Sequence, residues 1–470
     1  DKLRLKWVFQ MRTVQKVETT PLVVDGIMYL TKPPNDAFAL DTRTGRPFWS
    51  YKRQLPEQLK VCCGRVNRGF AIQGDRLYIG TLDAHLVALD AKTGSLLWEV
   101  EVADYKTGYS VTVAPLVVKD KIIVGIAGGE YGIRGFVDAY DAKTGKRAWR
   151  FYTIPGPGEP GNETWEGDSW KTGGAGTWVT GSFDPELNLI YWGTGNPGPD
   201  WNGEVRKGDN LYSDSVVALD ADTGKLKWYF QFTPHDVWDW DAVQIPVLVD
   251  MEFQGRPRKL MLWANRNAFY YVLDRETGEF LLARPFAKQT WAEEIDSKGR
   301  PIVKPNTAPS AKGTLIYPGV GGGTNWYSPS YSPLTGLYYV SARDYANIFF
   351  TSEATYIPGN EFLGSFGQGD PDDPGRGAVR ALIPVTGELK WEYKLHTKPV
   401  AGILTTAGNV LFSGTAEGQF FALDASNGRE LWRANTGGTI IAGPITYLSE
   451  GEQLVSIAAG SAIFTFGIKD

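Results

Sequence analysis

The chain is poor in histidine, cysteine and methionine, with three His, two Cys and four Met in 470 residues. His85, His235 and His396 are far apart in sequence, which argues against a zinc site built on histidine. Cys62 and Cys63 are adjacent, which excludes zinc knuckles and iron–sulfur clusters, and no Cys-x-x-Cys-His run is present to attach a c-type haem. Charge of one sign is not massed either: 48 Lys+Arg against 53 Asp+Glu leaves a formal −5. Without a basic arm or stripe, a binder of nucleic-acid backbone is excluded. No run reaches the roughly 18 apolar residues of a membrane-spanning helix. The longest candidate, 453–468, is broken by Gly, Ser and Thr. The first residue is Asp1, not Met, with no charged-then-apolar leader after it, and a signal peptide already removed is the expectation.

What is plentiful is glycine and aromatic side chain: 55 Gly and 17 Trp, with 42% hydrophobic and 21% charged residues overall. That is a globular composition, weighted towards short strands and tight turns. One phrase recurs. It reads AFALDTRTGRPFW at 37–49, LVALDAKTGSLLW at 86–98, VDAYDAKTGKRAW at 137–149 and VVALDADTGKLKW at 216–228. Weaker copies lie at 270–282, 379–391 and 420–432. Each predicts a strand, an Asp-x-x-Thr-Gly turn and a second strand ending in Trp, with Asp accepting from the turn backbone and Gly taking the positive-φ position. The Trp is expected to cover the seam between neighbouring sheets. Turn aspartates at 41, 90 and 141 set a unit of about 50 residues. The longer step from 274 to 383 reads as two units, with a copy lacking Asp at 331–342. The expectation is all-β: a single domain over 1–470 forming an eight-bladed β-propeller, closed by pairing of 3–9 with the C-terminal strands.

Four places carry chemistry. Cys62-Cys63 reads, from the residues alone, either as a reduced pair on opposite sides of a strand or as a strained vicinal disulfide of the sort found at functional sites. In 234-PHDVWDWDAV-243, Asp236, Asp239 and Asp241 crowd together. If the segment is extended, the last two share a face and invite a cation, while turn-making is the competing role. Glu130 sits in the glycine-rich 127-AGGEYGIRG-135, beside Gly128 and Gly129, and Asn196 in 193-GTGNPGP-199. Together Glu, Asn and two Asp make an all-oxygen set suited to a hard cation of the calcium type.

The repeats, the cysteine pair, the Glu130 and Asn196 turns and the WDWD segment, taken in this order along the chain, resemble the quinoprotein alcohol dehydrogenases, propellers that use pyrroloquinoline quinone (PQQ) and a metal ion. The resemblance implies that Glu130, Asn196 and Asp239 hold the metal and that Asp239 is also the general base. It implies a Cys62–Cys63 disulfide against one face of PQQ and Trp178 against the other. Glu18, Arg68, Thr112, Gly128, Gly129 and Asn325 would surround the cofactor, and Arg266 would serve both cofactor binding and catalysis at the reactive quinone edge. Asp241 matches the lanthanide-dependent branch, where calcium-type members have a small neutral residue. Glu130, Asp239 and Asp241 total −3, against −2 without Asp241, so a lanthanide(III) ion is favoured, with Ca2+ the alternative.

The implied reaction is oxidation of a small alcohol by hydride transfer, the electrons passing to a separate soluble cytochrome c. The oxidised cysteines fit the periplasm. A homodimer is one option for assembly. Ala127 stands where some relatives offer a hydroxyl to PQQ, and the N-terminal extension common in the family is missing from this sequence, so a rim or partner surface is expected to differ. Two other readings are a larger secondary alcohol, sugar or polymer as substrate, and a non-catalytic propeller scaffold. Trp238, Trp240 and Trp326 read equally as pocket walls or core.

Overall fold

The computed structural model describes residues 2–468. Each Asp-x-x-Thr-Gly phrase closes on itself. Asp90 Oδ1 accepts from the backbone N–H of Lys92 and Thr93 at 3.0 and 2.8 Å, and the Gly94 N–H returns to the Asp90 carbonyl at 2.8 Å. Gly94 lies at φ +72°, where an L side chain costs about 1–2 kcal/mol. Where Ile383 replaces the aspartate, the backbone closes the turn alone, from Gly387 N–H to the Ile383 carbonyl at 2.7 Å.

These turns join the third and fourth strands of antiparallel sheets. In one of them Ala71–Gln73, Arg76–Gly80, His85–Asp90 and Leu96–Glu101 pair in chain order. Its middle strands are almost wholly buried, and the last alternates between exposed and half-buried. Among the described residues there are eight four-stranded sheets. Seven carry one repeat each. The eighth takes Ile445–Ser449, Glu452–Ala459 and Ala462–Ile468 from the C-terminal end and Leu3–Gln10 from the N-terminal end, with Leu3 opposite Ile468 and Gln10 opposite Ala462. The expected pairing of 3–9 is therefore present.

One assignment needs correction. The segment 331–342 is not a unit of its own. It supplies parts of Ser330–Ser332 and Leu337–Asp344, the first two strands of the sheet whose last two are Arg376–Leu382 and Leu389–Leu395. The extra length between Asp274 and Ile383 is an insertion, holding a two-stranded sheet (Ala292–Ile295, Pro301–Val303) and a three-stranded one (Thr314–Ile316, Asn347–Phe349, Gly367–Gly369). The repeat period is uninformative here because the phrase marks only the third and fourth strands.

Apolar side chains interleave between adjacent sheets, as where Tyr29 and Ala39 of one meet Leu77, Ile79, Val87 and Leu89 of the next. The closing tryptophans lie over the following turn. A Cβ on Gly94 would stand 2.6 Å from the Trp49 ring, one on Gly145 2.8 Å from Trp98, and one on Gly278 2.7 Å from Trp228. Trp49 Nε1 also donates to the Ala91 carbonyl at 3.0 Å. The copy at 270–282 ends in Leu, and there Arg284 and Tyr270 approach the next turn glycine, Gly387, instead.

This topology sorts the loops. In an up-and-down sheet, the connections from second to third strand, and from the fourth strand to the next sheet, emerge at one end. The repeat turns emerge at the other. Glu130, Asn196 and Arg266 lie on second-to-third connections, and Cys62, Cys63, Arg68, Thr112, Trp178, Asp239, Asp241 and Asn325 on sheet-to-sheet connections. All are delivered to the same end.

Candidate active site

Those loops enclose a cavity of about 490 Å³, within the range of small-molecule sites. Of the residues expected at the site, Glu18, Cys62, Cys63, Arg68, Thr112, Gly128, Glu130, Trp178, Asp239, Asp241, Arg266 and Asn325 line it. Gly129 and Asn196 do not. Asn196 is buried behind the wall, its backbone N–H donating to Asp241 Oδ1 at 2.9 Å. Gly128 is required by its turn: φ is +121°, and a Cβ would run into the Gly108 carbonyl. Ser110 and Trp326 line the cavity too. Ser110 exchanges backbone hydrogen bonds with Ala127 at 3.1 and 2.8 Å, which places a hydroxyl beside the position where Ala127 lacks one.

Cys62 and Cys63 are disulfide-bonded. Cys63 Sγ lies 3.9 Å from Glu130 Oε1. The two sulfurs and Glu130 form the one group of three ligand-type side chains that closes to within 4.8 Å among the described residues. Sulfurs tied in a disulfide are not thiolate ligands, so this is not a metal site. The set Glu130, Asp239 and Asp241 does not close in that way.

The WDWD segment departs from the extended conformation. Asp236 is buried, and its two oxygens accept from the Trp238 and Trp240 backbone N–H at 2.9 and 2.6 Å, which folds the chain back. Asp239 lies at φ +60°. Asp236 is thus the turn-maker, and Asp239 and Asp241 converge by way of the turn rather than by strand alternation. Their meeting point is Arg266, whose Nη1 pairs directly with Asp241 and whose Nη2 lies 3.6 Å from Asp239 Oδ1. Trp238 and Trp240 are core: they stack at 4.7 Å, pack on Trp291, and donate to the Thr307 and Gly319 carbonyls. Only Trp326 of the three reaches the cavity.

Arg68 is held between two indoles, 4.9 Å from the Trp178 centroid and 4.7 Å from that of Trp326. It pairs with Glu18 at 2.8 Å and donates to Thr112 Oγ1 at 2.9 Å. Three of the polar positions expected around a cofactor, Glu18, Arg68 and Thr112, therefore form one connected set. Asn325 uses its amide locally, donating to the Gly321 carbonyl at 3.1 Å and accepting from Trp326 N–H at 2.8 Å.

Burial, reinforced by Asp241, pushes Glu130 up to about 7. Burial also lifts Asp239 well above the usual carboxylate range, with Asp241, Asp200 and Glu130 adding to the rise and Arg266 opposing it. The same two causes raise Asp200, a residue the sequence motifs did not single out. Carboxylates here outnumber cations, and their donors are hard oxygens, so the set fits a hard metal ion. The cavity fits a flat, anionic, aromatic cofactor: indole faces and a disulfide line it, and buried Arg68 Nε and Arg266 Nε have no hydrogen-bond partner.

A polar cavity of this size at the loop end of a large all-β fold defines a small-molecule and cofactor site. A family model described as the PQQ glucose/ethanol/alcohol dehydrogenase β-propeller domain matches residues 1–305, and one described as outer membrane protein assembly factor BamB matches residues 375–470. The chain is 40% identical to quinoprotein alcohol dehydrogenase PedH of Pseudomonas putida, over 98% of this chain and 82% of that one. It is 38% identical to the lanthanide-dependent methanol dehydrogenase of Methylacidiphilum fumariolicum, over 98% and 80%. The crystal structure of quinohemoprotein alcohol dehydrogenase from Comamonas testosteroni superposes with a TM-score of 0.95 at 37% identity, covering 99% of this chain and 76% of that one. The chain belongs to the quinoprotein alcohol dehydrogenases, PQQ-dependent enzymes that oxidise alcohols.

Proposed function

We propose that the protein oxidises a small alcohol to the aldehyde or ketone with PQQ and one metal ion, lanthanide(III) in preference to Ca2+. The observation that carries this reading is the convergence of Asp239, Asp241 and Arg266 at the wall of one cavity also lined by Trp178 and the disulfide. Its framework is a single domain in which the eight four-stranded sheets are eight blades, docked one on the next through the tryptophan–glycine contacts.

In this reading, Glu130, Asn196, Asp239 and Asp241 would hold the cation, and bound PQQ would supply the two-electron acceptor that alcohol oxidation needs. Trp178 and the disulfide present the faces that fix the ring's plane. Arg68, Glu18 and Thr112 would supply polar contacts at its edge, with Asn325 in the wall beside them, and Gly128 would let the chain approach closely. Asp239 takes the alcohol's hydroxyl proton at a carboxylate oxygen. A cation beside it would offset the burial that raises Asp239. Arg266 places positive charge where negative charge builds during the reaction. Asp241 adds a third negative charge, which favours a trivalent over a divalent ion.

Electrons leave to a separate soluble cytochrome c, and the vicinal disulfide suits a periplasmic location. The test is reconstitution of chelator-treated protein with PQQ and either calcium or a light lanthanide, followed by a dye-linked assay over an alcohol panel. Greater activity with the lanthanide on a short primary alcohol is the expected result. Turnover confined to sugars or polymers would overturn the substrate assignment, and equal activity with calcium the metal preference.

A further inference from the structure

The insertion between Asp274 and Ile383 reaches the cavity end of the fold. Between its strands Asn347–Phe349 and Gly367–Gly369, residues 353–363 leave and return as a closed loop. Ser352 N–H bonds to the Gly364 carbonyl at 2.9 Å, and Phe350 N–H to the Phe366 carbonyl at 3.1 Å. Loops of this Ω form are compact and often functional. Most of the segment is exposed, and its buried points are Gly359, Phe362 and Gly364.

Each buried point meets a different loop. Gly359 lies against Lys106, where a Cβ would stand 2.3 Å from the carbonyl oxygen. Phe362 N–H donates to the Glu130 carbonyl at 2.7 Å. The Phe362 and Tyr356 rings, edge-on at 5.6 Å, close over Gly132, where a Cβ would stand 3.1 and 3.0 Å from them. The next residue turns the other way. The Leu363 carbonyl accepts from Trp201 N–H at 3.0 Å, Gly364 packs on Asn202, and Asn202 Nδ2 donates to the Ser352 carbonyl at 2.9 Å. Two consecutive residues thus join the Glu130 turn to the loop that carries Asn196, and those two loops come from successive sheets.

The Glu130 turn needs such a hold. Gly129–Tyr131 is a single 3-10 turn flanked by glycines, Gly128 at φ +121° and Gly132 at +63°. The N–H groups of Tyr131 and Gly132 take the Gly128 and Gly129 carbonyls at 3.0 and 2.9 Å, which leaves the Glu130 carbonyl for an outside donor. A turn this short between glycines does not fix its own peptide planes. The Glu130 carboxylate approaches Cys63 Sγ at 3.9 Å, a weak contact that does not aim it, so its direction follows from the main chain. We propose that the 353–363 loop positions the cation site, with Phe362 as the positioning residue. It fixes the Glu130 turn and, through Leu363, the distance of that turn from the Asn196 loop, so that oxygens of both reach one ion. The inference rests on the cation site proposed above.

The test is binding of terbium(III) to PQQ-loaded protein, read by tryptophan-sensitised luminescence, with the waters on the bound ion counted from the decay in light and heavy water. Phe362→Ala takes away the ring that seats this main chain. Terbium affinity then falls by about 10–100-fold, and the water count rises because Glu130 leaves the ion. Phe362→Leu, which keeps a large apolar side chain over Gly132, restores most of both. Wild-type affinity and water count in Phe362→Ala overturn the proposal. So does a loss of affinity with an unchanged water count, since Glu130 is then still on the ion. Should Phe362→Ala fail to fold, Tyr356→Ala removes the exposed member of the ring pair and decides by the same two readings. Wild-type protein that takes no terbium, or takes it equally well as Glu130→Gln, fails the cation site and the proposal with it. Terbium that needs Glu130 and ignores Phe362 fails only the role of the loop.

Discussion

Arg266 is the place where the electrostatics of the cavity can be tested without turnover. It contacts Asp241 directly, lies 3.6 Å from Asp239, and has a side chain only 5% exposed. Arg266→Met keeps much of the volume and removes the charge. Breaking a buried pair by deleting one partner costs about 3–5 kcal/mol, because the other charge is left uncompensated. An unfolding entropy of roughly 2.1 cal/mol/K per residue makes about 1 kcal/mol/K for this chain, so the metal-free variant should melt about 3–5 °C below wild type. The pH dependence has a definite sign. Asp239 is already held above its unfolded value and loses the contact that lowers it. A carboxylate with a raised folded pKa binds more protons when folded, so its cost appears as pH rises past the unfolded value near 4 and is absent below it. The melting gap between variant and wild type is therefore flat at low pH and widens as pH rises through the folded-state pKa of wild-type Asp239, which burial holds well above the ordinary carboxylate range. A saturating lanthanide restores charge balance and narrows it. Calorimetry at fixed scan rate checks this, and a gap indifferent to both pH and cation would refute the reasoning.

Four further outcomes follow from the same geometry. Asp239→Asn should reduce dye-linked alcohol oxidation by about 10²–10⁴-fold with an unchanged circular dichroism spectrum, and near-native turnover would remove Asp239 as the base. Asp241→Ala should lose lanthanide-supported activity selectively, measured as the lanthanide-to-calcium ratio of turnover; equal loss with both ions would refute its charge role. Trp178→Ala should weaken PQQ binding by several-fold to tenfold in fluorescence titration, since one stacked face is worth about 0.5–1.5 kcal/mol. Gly94→Ala should destabilise the fold more than Gly74→Ala in denaturant titration. Both sit at positive φ, but a Cβ on Gly94 meets Trp49 at 2.6 Å whereas one on Gly74 meets nothing within 4 Å. Equal losses would show that the tryptophan contact carries no energy.

The repeats were legible because each is a local device. An aspartate two and three residues before the N–H groups it caps, and a glycine at positive φ, need nothing from the rest of the chain. The insertion between Asp274 and Ile383 is misread for the matching reason: Ser330–Ser332 and Leu337–Asp344 are joined by a local turn of the same kind, closed from Gly336 N–H to the Ser332 carbonyl at 2.9 Å, but it lies between a first and a second strand. At the site the residue types were readable but their partners were not. Asp236 looks like Asp239 and Asp241 in the sequence, and only the fold shows it spent on two backbone N–H groups. Arg266 lies 25 residues from Asp241, with two whole strands between them, so their pairing has no sequence signal. Asp200 was hidden differently. Beside Pro199 and Trp201 it reads as a loop residue, and its burial comes from a distant segment, since Trp201 N–H bonds to the Leu363 carbonyl at 3.0 Å and Gly364 packs on Asn202. A carboxylate held under cover with an oxygen unpaired is costly. That cost is a signal of charge chemistry, and it becomes visible only when the loops from different sheets are brought to one end.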